Sequence, residues 1–240
     1  MSGLSQRCCA VVPAAGVGSR MQSALPKQFL PLAGDSVLGL SLRALLDCPA
    51  IERIVVTVGD WPSDVARPAA LDDPRVTLAQ GGETRAHSVL AGLEVLLQSL
   101  PGDMLVLVHD AARPCVRAAD IARLIAGVSE DAPNGGLLAV PVQDTLKRDA
   151  GGARSAETVA REGLWQAQTP QAFPLQALHD AIAAALQAGH TITDEASAME
   201  LAGCRPRLVE GRSDNIKITR PADLALAGVY LKLQAGEQPS

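Results

Sequence analysis

Near the start of the chain, a glycine-rich turn is followed by two cations. The run Ala10-Val11-Val12-Pro13-Ala14-Ala15-Gly16-Val17-Gly18-Ser19-Arg20-Met21 is followed shortly by Pro26-Lys27-Gln28. Small residues leave this backbone bare, Gly16 and Gly18 permit positive φ and close approach, and Arg20 and Lys27 add fixed positive charge beside the peptide N–H groups. That combination suits a polyphosphate, and a plain turn has no use for both cations. Further on, Gly82-Glu83-Thr84-Arg85-Ala86-His87-Ser88 sets Arg85 and Ser88 three apart, on one face of a helix start. His109-Asp110-Ala111-Ala112-Arg113 ends an apolar run in polar residues, the place where α/β enzymes carry chemistry. Asp110 and Arg113 are candidates for substrate or metal contact, or for a structural pair that closes the loop. His109 reads as a buried, hydrogen-bonded imidazole and His87 as a surface helix residue.

The elements that position these residues follow from periodicity. Residues 8–12 are a short apolar, β-branched run that reads as a buried strand opening into the glycine-rich loop. Leu38, Leu42, Leu45 and Leu46 recur at helical spacing over 37–48, and Pro49 ends that helix. Residues 53–59 and 76–79 are strands; the Pro/Ala/Asp-rich stretch between them has no clear pattern. Val89, Leu93, Leu96 and Leu97 form one stripe of a helix whose N-cap is Glu83 or Thr84, with Gly81-Gly82 as the turn before it. Residues 103–108 read as a central strand, 118–128 as a helix, and 135–142 as another apolar strand. Alternating strand and helix favour an open, largely parallel sheet with helices on both faces and ligands at the carboxyl ends of its strands.

The pattern then changes. Asp144 to Arg148 and Glu157 to Arg161 alternate around a Gly- and charge-rich turn, which predicts a protruding β-arm over about 142–163. An isolated hairpin has too little core to stand alone in water, so the arm needs a surface to grip, and a second subunit is the natural one. Residues 163–171 return to the body. A helix with Leu178, Ile182, Ala185 and Leu186 follows, then an acidic helix start at Thr193-Asp194-Glu195, a strand at 207–210, and a closing helix from Pro221 to about 233.

Composition bounds the rest. The chain has 240 residues, 48% hydrophobic, 20% charged and 2% aromatic, which suits one domain over 1–240 with a core of Ala, Leu and Val and few platforms for stacking bases. A formal net charge of −5 argues against a general nucleic-acid surface, while an anionic small molecule can still bind in a local cationic cleft. The cysteines Cys8, Cys9, Cys48, Cys115 and Cys204 show neither disulfide-framework nor zinc spacing, so reduced thiols in a cytoplasm are expected. Arg7 followed by an apolar run imitates a signal peptide, but Pro13 breaks the run and it leads into the phosphate loop. No apolar stretch reaches bilayer-spanning length.

Spacing separates the phosphate-loop types. A dinucleotide fingerprint needs glycine where Met21 stands, and no Walker A pattern is present. Strand, A-A-G-x-G-x-R-M and P-K-Q together resemble the signature loop of nucleotidyltransferases acting on sugar or polyol phosphates. With 81–88, 109–114, Asp144-Thr145, 164–171, 193–197 and 210–221, the order and spacing resemble the 2-C-methyl-D-erythritol 4-phosphate cytidylyltransferase family over about 9–231. The resemblance implies a Rossmann-like nucleotidyltransferase fold and a homodimer held through the β-arm. It implies that Ala14, Ala15, Gly16 and Gly18 line a CTP site with Arg20 and Lys27 on the phosphates, and that Gly82, Glu83, Arg85 and Ser88 flank cytosine and ribose. Asp110, Ala111 and Arg113 would line the join of two substrates. Thr145 and Arg161 from a partner's arm, with Thr169 and Lys217, would hold methylerythritol phosphate. Glu83 stands where the family often has Asp.

The reaction so implied is in-line attack of a phosphate oxygen on the α-phosphorus of CTP. A phosphate monoester has a second pKa of about 6, so the nucleophile is already largely dianionic near neutrality and needs no general base. Catalysis then consists of positioning and charge stabilisation, with Arg20, Lys27, Arg161 and Lys217 as the catalytic cations. A divalent ion such as Mg²⁺ would be held mainly by CTP, with Asp110 as the candidate protein ligand. A cytidylyltransferase for another polyol phosphate such as ribitol 5-phosphate is the alternative; an NAD-dependent dehydrogenase and a non-catalytic nucleotide-binding module fit less well.

Overall fold

The structure, a computed structural model, describes residues 6–16, 25–129 and 131–237. In chain order the elements are β1 Cys8–Pro13, β2 Pro31–Leu32, β3 Asp35–Ser36, α1 Val37–Leu46, β4 Ile51–Val58, β5 Val76–Gln80, α2 Arg85–Leu97, β6 Leu105–Val108 and α3 Ala118–Ser129. They continue with β7 Gly136–Pro141, β8 Leu146–Asp149, β9 Ser155–Val159, β10 Trp165–Pro174, α4 Leu175–Gln187, α5 Glu195–Leu201, β11 Arg207–Glu210 and α6 Pro221–Glu237. Seven of the strands form one sheet in the order β11-β7-β10-β6-β1-β4-β5. Strand β1 pairs in parallel with both β4 and β6, and β4 with β5. The sheet is largely parallel, as expected, with β10 inserted antiparallel to β6 and β7.

The near-continuous apolar runs of the strands have a simple cause: both faces of the sheet are covered. Along β1, Cys8, Ala10 and Val12 enter one core with α1 and α3, whereas Cys9 and Val11 enter the other with α2, α4 and α5. The same alternation places Leu105 and Leu107 of β6 on the first face and Val106 and Val108 on the second. Gly92 lets α2 close on β1, since a β-carbon there would lie 2.6 Å from Val11 Cγ1. Ser36 caps α1 and Thr84 caps α2, each through its side-chain oxygen, contacts of about 1 kcal/mol apiece.

Residues 163–171 do more than return to the body. They open β10, whose pairing with β7 shifts register between Ala167 and Gln171. Pro170 lies inside that irregularity, where no ladder hydrogen bond is asked of it. The same irregularity carries Gln168 and Thr169, both buried at the end of the sheet. The arm is a two-stranded ribbon of β8 and β9, closed at its base by a hydrogen bond from Val142 N to Leu164 O at 3.0 Å. Its residues are largely exposed, with Arg148 paired to Glu157 at 2.6 Å.

Candidate active site

Strand order reverses at β1, whose neighbours are β4 on one side and β6 on the other, and a crevice opens at the carboxyl ends of these strands. The backbone leaving β1 is held by Gln28, which is 4% exposed and donates from Nε2 to Ala14 O at 2.7 Å and to Gly16 O at 2.8 Å. The turn leaving β5 packs against it. A β-carbon on Gly81 would lie 2.4 Å from Ala15 Cβ, so only glycine permits this approach. Ser88 Oγ accepts from Gly82 N at 3.1 Å and donates within the same turn, which gives its hydroxyl a shaping role there.

These segments enclose a cavity of about 310 Å³. Ala14, Ala15, Gly16 and Lys27 line it from one side, Gly82, Glu83, Arg85 and Ser88 from another, and Asp110, Ala111 and Lys217 form its floor. Lys27 Nζ donates to Ile218 O at 2.9 Å, which ties the β1 loop to the segment bearing Lys217. That segment is in turn latched to the β6 loop by Ile218 N donating to Ala112 O at 2.8 Å. A second cavity of about 180 Å³ lies alongside, lined by Arg113, Gln168, Thr169, Gln171, Thr193 and Asp194. Arg85, Asp110 and Lys217 belong to both cavities and form the wall between them.

That wall is a chain of charges. Lys217 Nζ meets Asp110 Oδ2 at 2.7 Å, and Arg85 Nε meets Asp110 Oδ1 at 2.9 Å. Arg113 Nε stands 3.8 Å from Oδ2. Behind Arg85, the carboxylate of Glu195 is 1% exposed and accepts from Nη1 at 2.6 Å and from Nη2 at 3.1 Å, a bidentate pair. Burial alone would push the Asp110 carboxyl up, but the fields of Arg85 and Lys217, the Lys217 hydrogen bond and Arg113 hold it well below the usual carboxylate range. Burial likewise disfavours charge on Arg85, and Glu195 and Asp110 outweigh it. Asp110 is therefore an anion that holds cations in place.

His109 is fully buried, as expected, and lines neither cavity. Its Nε2 faces Arg113 O at 3.1 Å, and a carbonyl only accepts, so this nitrogen carries the proton. Nδ1 then accepts from the Thr169 hydroxyl at 3.1 Å, while Thr169 Oγ1 accepts from Asp110 N at 3.0 Å. Thr169 thus spends its hydroxyl hydrogen on His109 and fixes the Asp110 backbone, a different task from donating to a substrate phosphate. Burial pushes the imidazole down to about 4, so it is neutral at pH 7.

Gly18 and Arg20 lie outside the described residues. Thr145 and Arg161 are exposed on or beside the arm and line neither cavity of their own chain; Arg161 donates to Gln143 O across the arm's base. Glu195 and Gln28 hold positions that sequence reasoning misses, Glu195 reading locally only as an acid suited to a helix start. Asn215 is missed too: it is buried, donates from Nδ2 to Thr169 O at 3.0 Å, and its backbone carbonyl accepts from Arg113 Nη1 at 2.7 Å. Among the described residues no group of His, Cys, Asp and Glu could enclose a metal ion. Asp110 is the buried carboxylate at the cavity floor, and its oxygens are already engaged by Arg85 and Lys217.

Comparison with known proteins agrees with this fold. Residues 8–233 match the family model of 2-C-methyl-D-erythritol 4-phosphate cytidylyltransferase. An Escherichia coli O1:K1 / APEC protein of that name is 53% identical over 225 residues, covering 93% of either chain. A crystal structure of a 4-diphosphocytidyl-2C-methyl-D-erythritol synthase superposes with TM-score 0.80 at 39% identity, covering 95% of this chain and 100% of that one. The 2-C-methyl-D-erythritol 4-phosphate cytidylyltransferase of Thermus thermophilus gives TM-score 0.77 at 33% identity, covering 94% of this chain and 99% of that one. A sheet that reverses order at β1, a cationic cavity at that point and a match spanning nearly the whole sequence have one common reading: the chain belongs to the 2-C-methyl-D-erythritol 4-phosphate cytidylyltransferase family.

Proposed function

We propose that the chain transfers a cytidylyl group from CTP to 2-C-methyl-D-erythritol 4-phosphate, releasing pyrophosphate and 4-diphosphocytidyl-2-C-methyl-D-erythritol. The observation that carries this reading is the pair of cavities sharing one wall of Arg85, Asp110 and Lys217. Two substrates seated on either side of that wall have their reacting phosphates at a common cation. The larger cavity suits CTP: the backbone at 14–16 and Lys27 face the phosphates, with Gly82, Glu83, Arg85, Ser88 and Ala111 around the nucleoside. The smaller one suits the acceptor, with Arg113 and Lys217 toward its phosphate and the neutral polar Gln168 and Thr193 toward its hydroxyls.

The acceptor's phosphate oxygen attacks the α-phosphorus, a bond to that phosphorus forms, and the bond to pyrophosphate breaks. No base is required, because the attacking monoester is dianionic at neutral pH. The protein matches this: His109 is sequestered from both cavities, and Asp110 is committed to its cations. Lys27 and Lys217 stabilise the charge that gathers on the five-coordinate phosphorus, an effect of about 10²–10³ in turnover per preorganised group. Arg20 adds a further cation to the same task. A divalent cation such as Mg²⁺ would be held chiefly by the triphosphate, and would supply further charge neutralisation there.

Thr145 and Arg161 complete the acceptor site from the arm of a second subunit, which gives the exposed β8–β9 ribbon the surface it lacks alone. The unit is a single domain acting as a homodimer on small molecules in the cytoplasm, in keeping with its free cysteines. Among the described residues no helix is long and apolar enough to cross a membrane. Pyrophosphate release is the test, with CTP and either methylerythritol phosphate or ribitol 5-phosphate. Turnover with the first acceptor and little with the second is expected; the reverse preference overturns the acceptor assignment, and no turnover with either overturns the reaction.

A further inference from the structure

The wall between the cavities needs support from behind, and Glu195 is placed to give it. This residue opens α5, just after the Asp194 cap, where the helix N-terminus favours an anion. Its carboxylate is withdrawn from solvent, at 1% exposure, and lines neither cavity, so no ligand explains a buried charge there. Both of its oxygens go to one guanidinium, Arg85 Nη1 at 2.6 Å and Nη2 at 3.1 Å. The remaining edge of that guanidinium, Nε, faces Asp110 Oδ1 at 2.9 Å, and Asp110 Oδ2 faces Lys217 Nζ at 2.7 Å.

We propose that Glu195 is a positioning residue for nucleotidyl transfer: by clamping Arg85 it keeps that guanidinium to one oxygen of Asp110 and leaves the other for Lys217. The physical argument is competition. A guanidinium prefers a bidentate carboxylate partner. Glu195 satisfies that preference, so Arg85 meets Asp110 through Nε alone. Without the Glu195 charge, Arg85 turns its fork to Asp110, displaces the ammonium of Lys217, and unsettles the cation shared by the two cavities. Glu195 therefore acts at a distance, through Arg85 and Asp110, and touches no substrate.

The inference rests on the proposed reaction, and the test separates the two. Pyrophosphate release by the wild-type protein tests the reaction; the ratio of Glu195→Gln to wild type tests the clamp. A displacement of about 1 Å in a reacting constellation costs up to about 10² in rate, so Glu195→Gln is expected to lower kcat about 10- to 100-fold. Glu195→Asp, which keeps the charge but shortens the reach, should recover part of that loss. In an Arg85→Gln background the further effect of Glu195→Gln should shrink to about 2-fold, because both act through one link. A second readout does not depend on turnover. The chain has lysine only at Lys27, Lys147, Lys217 and Lys232, so reductive ¹³C-methylation gives few and assignable signals. The Lys217 methyl resonance should move in Glu195→Gln while that of Lys232 stays. Wild-type kcat and KM together with an unmoved Lys217 resonance overturn the proposal, whatever happens to Tm, and so do losses that simply multiply in the double variant. If Glu195→Gln fails to fold, Glu195→Asp with unchanged kcat and resonance overturns it equally.

Discussion

Gln28 grips residues 14–16 where the chain leaves β1, and removing its amide should show how much of CTP affinity depends on a backbone ordered in advance. Gln28 donates from its side-chain amide nitrogen to two carbonyls, Ala14 O at 2.7 Å and Gly16 O at 2.8 Å. Each such bond is worth about 1 kcal/mol net, so Gln28→Leu withdraws about 2 kcal/mol from the ordered loop. At about 1.4 kcal/mol per factor of ten, the binding-competent population falls by up to about 30-fold, and apparent CTP affinity falls with it. Gln28→Glu is the stricter variant, since an ionised carboxylate would face two carbonyl oxygens with no N–H to offer. The expected order of CTP affinity is wild type, then Gln28→Leu, then Gln28→Glu. Titration calorimetry with CTP gives the affinities, and steady-state pyrophosphate release should show KM for the acceptor changing by less than about 3-fold, a small fraction of the nucleotide effect. Wild-type CTP affinity in Gln28→Leu refutes the reasoning, because the loop would then hold itself.

Lys27→Ala should keep the fold and lose about 10²–10³ in kcat, measured as pyrophosphate release alongside a thermal melt; a normal rate removes Lys27 from the mechanism. His109 titrates at 6.5 in the unfolded chain and at about 4 in the folded one, so between those values the unfolded state binds more protons and stability falls as pH falls. That window is worth about 3 kcal/mol at roughly 1.4 kcal/mol per pH unit. Urea denaturation of His109→Gln should therefore show a flatter pH dependence than wild type across it, and parallel curves would contradict the assignment. For the arm, Arg161→Ala and Lys217→Ala proteins, each inactive alone and each with its arm intact, should regain activity when mixed, because the mixed dimer holds one site with Lys217 of one chain and Arg161 of the other chain's arm. Mixed dimers shown to form without any recovery would rule out a shared site.

Much of this architecture is legible from local patterns, because buried strands and amphipathic helices advertise their faces residue by residue. The leucines of α1, the valines of β4 and the alternation on β8 and β9 appear where periodicity places them. Strand β10 is the exception. Pro170 and the polar residues around it argue against a central strand, and only the register shift opposite β7 explains how a proline is accommodated there. His109 is legible as a buried imidazole, but its bond to Thr169, 60 positions away, is not, and that bond changes what the Thr169 hydroxyl can do.

The site divides in the same way. Glycines, small residues and cations beside predicted strand ends mark residues that line the crevice, among them Gly16, Lys27 and Gly82, since bare backbone and fixed charge are properties of residue type. Which cation meets which anion is a property of distance. Glu195 reads locally as a helix-start acid, and its partner Arg85 lies 110 positions away, brought near only when α2 and α5 pack on the same face of the sheet. The sequence by itself determined the chemistry available to this protein; the tertiary structure decided how those charges are paired, because ion pairs depend on separations of a few ångströms that chain order does not encode.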